Sequence, residues 1–409
     1  MSTAQLSKTV KDVQTLLKRS EVQEAFKFIE SHLKKITDEQ IRICQIAAPP
    51  FAEQKRAAYF QGRFSDLGLR DVHIDQEGNC VGLRQGERES PLLVISAHLD
   101  TVFREGTDVT VSRSGQKLLA PGISDDCCGL VALVAIGDAL QAADIQTEGS
   151  VLFVATVGEE GEGNLRGVRH LMTTSSWANR IEAFISFDGA EIDRITNQAL
   201  GSRRYRVGFR GEGGHSWGDF GVANPVHAAG RAITKLASYP LPLEPRTTFN
   251  VGRVEGGSSV NSIPQDASME VDLRSESAEE LLKLDAFFRR AVREATEDEN
   301  AARRAGERPL QLTVQLIGER PSGQTSADST LVQLAIEATE AVGTQARLNQ
   351  ASTDSNLPIS LGIPAITIGA GGTSGNSHTL DEWYDPRGRE FGLKRGLLLA
   401  LSIVGVVEN

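Results

Sequence analysis

LLVISAHLDTV, residues 92–102, decides the fold. It opens as an unbroken apolar run of strand length and turns abruptly to His98, Asp100 and Thr101. A continuous apolar run reads as a strand buried on both faces, as in a parallel sheet. The same arrangement repeats downstream. VLFVATV (151–157) runs into Glu159 and Glu160, AFISF (183–187) into Asp188, and AITIG (365–369) into a glycine-rich loop that carries His378. Helical stretches such as GLVALVAIGDALQAA (129–143) lie between them. Buried strands alternating with helices give an α/β domain with a mostly parallel central sheet. In such sheets ligands bind beyond the carboxyl ends of the strands, where each of these polar residues falls.

Outward from these strands, the first 68 or so residues read mostly as helix, with Val10, Val13, Leu16 and Leu17 at helical spacing before Pro49 and Pro50 interrupt the pattern. Residues 202–319 have another texture. RRYRVGFRG (203–211), TTFNVGRVEG (247–256), ASMEVDLRS (267–275) and LQLTVQLIG (310–318) alternate like half-buried strands. Between them, 224–238 and 277–300 read as helices, the first with Pro225 just inside its start. The order β-α-β-β-α-β is that of a ferredoxin-like unit. The expected organisation is a catalytic domain made of 1–201 and 320–409, with an inserted α+β lid or dimerisation domain at 202–319. A length of 409 residues fits two domains, since single cores stop growing near about 250–300 residues.

The formal net charge of −11, without a basic block and with 5% aromatic residues, argues against nucleic acid as a partner. The most apolar late stretch, 397–407, is shorter than the roughly 20 residues that span a bilayer, so no membrane association is expected. The polar opening MSTAQLSKTVKDVQTLLKRS lacks the apolar centre of a signal peptide, and the four cysteines show no disulfide spacing. The expected location is the cytoplasm.

Four segments carry the chemistry: SAHLDTV (96–102), PGISDDCCG (121–129), TVGEEGEG (156–163) and ISFDGAE (185–191). His98 can bind a metal while Asp100, one residue removed, fixes its tautomer. Glu159 and Glu160 diverge as neighbours, so one can bind metal while the other faces an attacking water. A carboxylate from the Asp125–Asp126 pair can bridge two ions roughly 3.5–4 Å apart. Each pattern alone also fits a buried histidine or a solvated acidic face. Two histidines with several carboxylates and no cysteine pair suit zinc, with cobalt or manganese as alternatives.

In order, HLDTV, the Gly-x-Ser-Asp-Asp segment, GEEGEGNLRGVRHL, FDGAE and NSHTLDEWYD resemble the dizinc family that holds peptidase T, carboxypeptidase G, carnosinase, acetylornithine deacetylase and succinyl-diaminopimelate desuccinylase. The likeness covers nearly the whole chain. It implies two zinc ions per chain, with Asp125 bridging, His98 and Asp188 on one ion, and Glu160 and His378 on the other. It implies that Asp100 orients His98, that Glu159 is the general base toward the bridging water, and that the Asp125–Asp126 peptide is cis. Many relatives carry lysine or another residue where Cys127 stands; Cys127 and Cys128 are expected to pack at a helix start. GEGGHSWGDFG (211–221) resembles the family loop that reaches a partner subunit, making His215 a candidate oxyanion donor in a homodimer. Asn261 and Arg274 are candidates for substrate binding, and TDSN (353–356) resembles a loop near the site. The implied activity is that of a di- or tripeptidase, nearest to peptidase T. The alternatives are an N-acyl-amino-acid deacylase of the same fold and a non-catalytic peptide-binding protein.

Overall fold

The apolar runs pair as parallel strands. In the computed structural model, which describes residues 10–408, Ser150–Thr156, Leu92–His98, Ile181–Phe187 and Ala365–Ile368 lie side by side in that order. The first two are buried along their full length, as strands covered on both faces must be. Register aligns their ends: His98 stands opposite Thr156, and Ile368 opposite Phe187. Residues following each strand therefore emerge along one edge.

The flanks of this sheet are mixed in direction. Cys80–Arg84 pairs antiparallel with Ser150–Thr156 and carries Arg70–Ile74 on its outer side. Arg194–Ala199 runs antiparallel to Ala365–Ile368 and parallel to Arg347–Ala351. The short polar strands at this end have no apolar run to announce them. The helix Cys127–Ala142 packs under the sheet and is buried nearly all round, matching a sequence apolar on every face. The helices Val13–Leu17, Ser20–Ser31, Leu33–Cys44 and Gln54–Asp66 supply the expected helical start. The polar opening before Val10 lies outside the described residues.

The chain divides into two compact units, one built from residues up to Ala199 and from Gln324 onward, the other from Leu200–Gly323. The second unit is wider than 202–319 on both sides, because its first strand begins at Gly201 and its last continues to Arg320. It is a four-stranded antiparallel sheet in the order Thr247–Gly256, Asp266–Ser275, Gly201–Arg210, Gln311–Arg320. The helices Pro225–Ala237 and Ala278–Ala302 bury Tyr205, Val207, Phe209, Met269 and Val271 against it. Asn224 caps the first helix through Val226 N–H, and Ser277 the second through Glu280 N–H. No described helix is long and apolar enough to cross a membrane.

Candidate metal centre

The strand ends deliver His98, Glu160 and Asp188, the turn before the helix Cys127–Ala142 adds Asp125, and the glycine-rich loop brings His378 to the same place. His98 Nε2 lies 3.0 Å from Asp125 Oδ1. His378 Nε2 lies 3.0 Å from Asp125 Oδ2 and 3.0 Å from Glu160 Oε1. One carboxylate thus meets two imidazoles, one on each oxygen. Donor atoms of His98, Asp125 and Glu160 fall within 4.8 Å of one another, the spacing of ligands around a cation. Two imidazoles with several carboxylate oxygens fit borderline divalent ions such as zinc.

Each ligand-type residue is held by its backbone. His98 closes a buried strand, and its N–H donates to Asp126 Oδ2 at 3.1 Å. Asp126 also caps the helix Cys127–Ala142, accepting Gly129 N–H at 3.0 Å. A Cβ at Gly129 would stand 2.4 Å from that carboxylate, so only glycine fits there. The Asp125–Asp126 peptide is cis. Asp188 N–H donates to Ile368 O at 3.0 Å, and Arg194 Nη2 donates to Asp188 O at 2.6 Å.

Asp100 acts differently from the carboxylate expected beside His98. His98 Nδ1 bonds the main-chain carbonyl of Asp100 at 3.0 Å, while the side-chain oxygen stands 3.8 Å away. The carboxylate instead accepts Glu159 N–H at 3.2 Å and Glu160 N–H at 2.8 Å. Either way Nδ1 is a donor, so Nε2 is the ring atom that faces Asp125 and would bind a metal. Both glutamates are buried.

The electrostatics match a site built for cations. Burial opposes a charge on His98, but Asp125, Asp126 and Asp100 hold its pKa well above the ordinary value. Burial pushes Asp125 up and His378 and His98 pull it down, leaving it below the usual carboxylate range. Burial and then the Asp125 charge push Asp188 up to about 6. Hydrogen bonds that His378 donates to the Asp125 and Glu160 carboxylates raise it to about 11. The cluster of carboxylates thus favours positive charge at this place.

Cys127 and Cys128 are buried, and burial pushes both thiols well above their ordinary pKa, which suits packing. Thr353, Asp354, Ser355 and Asn356 are buried as well. Asp354 accepts the Thr156 hydroxyl at 2.5 Å, at the strand end that leads to Glu159. The anchoring roles of Asp126 and Glu382 were not foreseen from sequence: their carboxylates accept backbone N–H groups of His98 and Gly122.

Within the inserted unit, His215 and Asn261 come together. Gly214–His215 pairs with Ser262–Ile263, and Ser216 N–H donates to Asn261 O at 3.0 Å. Both residues are exposed. His215 Nδ1 accepts Trp217 N–H at 3.2 Å and Gly218 N–H at 3.3 Å, leaving Nε2–H as an outward donor. Arg274 lies apart from this loop on Asp266–Ser275, its Nε 2.6 Å from Asp272 Oδ2.

The chain is similar to known proteins in sequence and in fold. The uncharacterized protein YqjE of Bacillus subtilis is 25% identical over 359 residues, covering 83% of this chain and 90% of that one. A succinyl-diaminopimelate desuccinylase of Leptothrix cholodnii is 26% identical over 234 residues, 53% of this chain and 60% of its own. The crystal structure of a tripeptidase from Staphylococcus aureus superposes with a TM-score of 0.76 at 20% identity, covering 91% of this chain and 98% of that one. The model of peptidase family M20/M25/M40 matches residues 94–400. The chain belongs to that family, whose members are metallopeptidases or amidohydrolases.

Proposed function

We propose that this chain is a dimetal di- or tripeptidase that hydrolyses an amide bond in a small peptide. One observation carries the reading: Asp125 meets His98 through Oδ1 and His378 through Oδ2, each at 3.0 Å, as a carboxylate shared by two ions would. His98 and Asp188 would hold one ion, Glu160 and His378 the other. Zinc is the first choice for this donor set. When bound, such a pair polarises the scissile carbonyl and acidifies the attacking water.

The chain's own residues then have distinct work. Asp100 fixes the Glu159–Glu160 turn through both N–H groups, and its carbonyl fixes the His98 tautomer. Glu159 takes the proton of the attacking water and passes it to the leaving nitrogen, as a general base that becomes a general acid. His215, with its Nε2–H directed outward, donates to the developing oxyanion in the partner subunit of a homodimer. Asn261 and Arg274 bind substrate, Arg274 through the part of its guanidinium that Asp272 leaves open.

The test reconstitutes metal-free protein with zinc or cobalt and assays Ala-Ala-Ala against N-acetylornithine. Faster turnover of the tripeptide supports the peptidase. The desuccinylase likeness favours a second reading, an N-acyl-amino-acid deacylase on the same site, and preference for the acylated substrate would select it. No turnover of either substrate, or of a wider peptide and acyl panel, by protein that binds metal would leave a non-catalytic binder. Mixing Glu159→Ala with His215→Ala subunits tests the trans role. Activity returning in mixed dimers supports it, and none returning after demonstrated exchange removes it.

A further inference from the structure

Glu382 is fully buried, four residues after His378 in the same loop. Its Oε1 accepts Ser124 N–H at 2.8 Å, the Ser124 hydroxyl at 2.7 Å and Asp125 N–H at 3.0 Å. Its Oε2 accepts Gly122 N–H at 2.9 Å. The main chain adds to the staple. Ala120 N–H donates to Glu382 O at 3.2 Å, Glu382 N–H donates to Thr379 O at 3.3 Å, and Trp383 pairs with Leu119. A carboxylate taken out of water demands such donors, and bonds to an ionised acceptor are roughly twice as strong as neutral ones. Four donors from one short segment thus converge on one side chain that arrives from about 258 residues away.

We propose that Glu382 is a positioning residue that presets Asp125 against His378 before any metal arrives. Resting on the dimetal reading above, it gives the exposed loop and the buried Asp125 segment a common anchor. The two limbs share the carboxylate through which both ions are to be held. Without the anchor, each binding event would have to order residues 121–125 and the His378 loop itself, and affinity would fall by that ordering. Glu382→Gln keeps the volume but turns one acceptor oxygen into an NH₂ group that faces backbone N–H donors. Tyr384→Phe, in the strand that follows, removes a 2.7 Å bond to Gly371 O and the acceptor of Arg389 Nε at 3.3 Å, but leaves the contacts of the Glu382 carboxylate in place.

The experiment measures zinc affinity by competition with a chromogenic chelator, and thermal denaturation of the metal-free proteins. Hydrogen exchange of the native chain is followed with and without zinc. Glu382→Gln should bind zinc about 10–100-fold more weakly than native protein, the usual effect of removing a group that orients ligands. Tyr384→Phe should stay within about twofold of native even if both variants melt earlier. In native protein, the amides of Gly122, Ser124 and Asp125 should remain protected after metal is stripped. Native binding of two ions with unchanged affinity in folded Glu382→Gln overturns this inference and leaves the dimetal reading standing. A native chain that binds only one ion overturns the dimetal reading itself. If Glu382→Gln does not fold, exchange decides: loss of protection on metal removal shows that the ions, and not Glu382, order the segment.

Discussion

His98 and His378 meet the same carboxylate from opposite settings. His98 closes a fully buried strand, its side chain 2% exposed, with its N–H on Asp126 and its Nδ1 on a carbonyl. His378 stands on a loop, its side chain 54% exposed and its φ at +67°, in the left-handed region that non-glycine residues rarely occupy. The core supplies His98 with its position. His378 owes its position to the carboxylates it faces and to the segment that Glu382 anchors. One half of the centre is built by folding, and the other half is assembled onto it.

The largest expected effect sharpens this contrast. His98→Ala and His378→Ala should both abolish turnover, but only the first should badly destabilise the metal-free fold. Removing His98 leaves buried carboxylates without their cation, a loss of about 3–5 kcal/mol for a broken buried pair. Removing the half-exposed His378 should change the melting temperature of metal-free protein far less. Equal destabilisation in chemical denaturation would break the comparison.

Next in size is Glu159→Ala, expected to lower kcat on the order of 10²–10⁴ while elemental analysis finds metal content unchanged. Near-normal turnover would remove Glu159 as the base. Loss of metal would instead make it a ligand and reverse its role with Glu160.

The smallest effect concerns protons. In metal-free protein Asp125 and Glu160 raise His378 from 6.5 to about 11. A raised pKa gives stability that is fully present below the unfolded value and lost as pH rises through the folded one. Metal-free protein should therefore melt progressively earlier from about pH 6.5 toward pH 11, and His378→Ala should flatten that slope. Zinc must displace the same proton, so calorimetry in buffers of different ionisation enthalpy should detect proton release on binding. A slope identical in both proteins would show that His378 carries no such proton.

The same contrast explains what the sequence disclosed. Four apolar runs predicted the strands whose ends carry His98, Glu160 and Asp188, because burial on both faces leaves a continuous apolar signature. In the inserted unit, period-two alternation marked the strands, and Pro225 just inside its start marked the first helix. His378 was placed near the site by its glycine-rich loop after a buried strand, but its pairing with Glu160 on one ion came only from resemblance to a family motif, for the loop has no periodicity. Asp126 and Glu382 lie in quoted motifs, but their roles as backbone anchors were not read from them. Asp126 reaches His98 N–H, 28 residues away, besides capping its own helix, and the partners of Glu382 lie about 258 residues away. The carbonyl of Asp100 takes the bond expected of its carboxylate, because spacing two residues apart does not fix which oxygen of Asp100 the ring meets. The small sheet of Ser112–Ser114, Lys117–Leu119, Thr373–Gly375 and Trp383–Asp385 was also missed, since three-residue strands are too short to show alternation.

The central claim is that Asp125 serves two ions at once, one on the strand side and one on the loop side. It is tested most directly by titrating metal-free protein with zinc while following peptide hydrolysis and bound metal together. The account predicts that activity keeps rising to about two equivalents per chain and that both ions are lost in Asp125→Ala. Full activity at one equivalent, with no second ion bound at saturation, would contradict it.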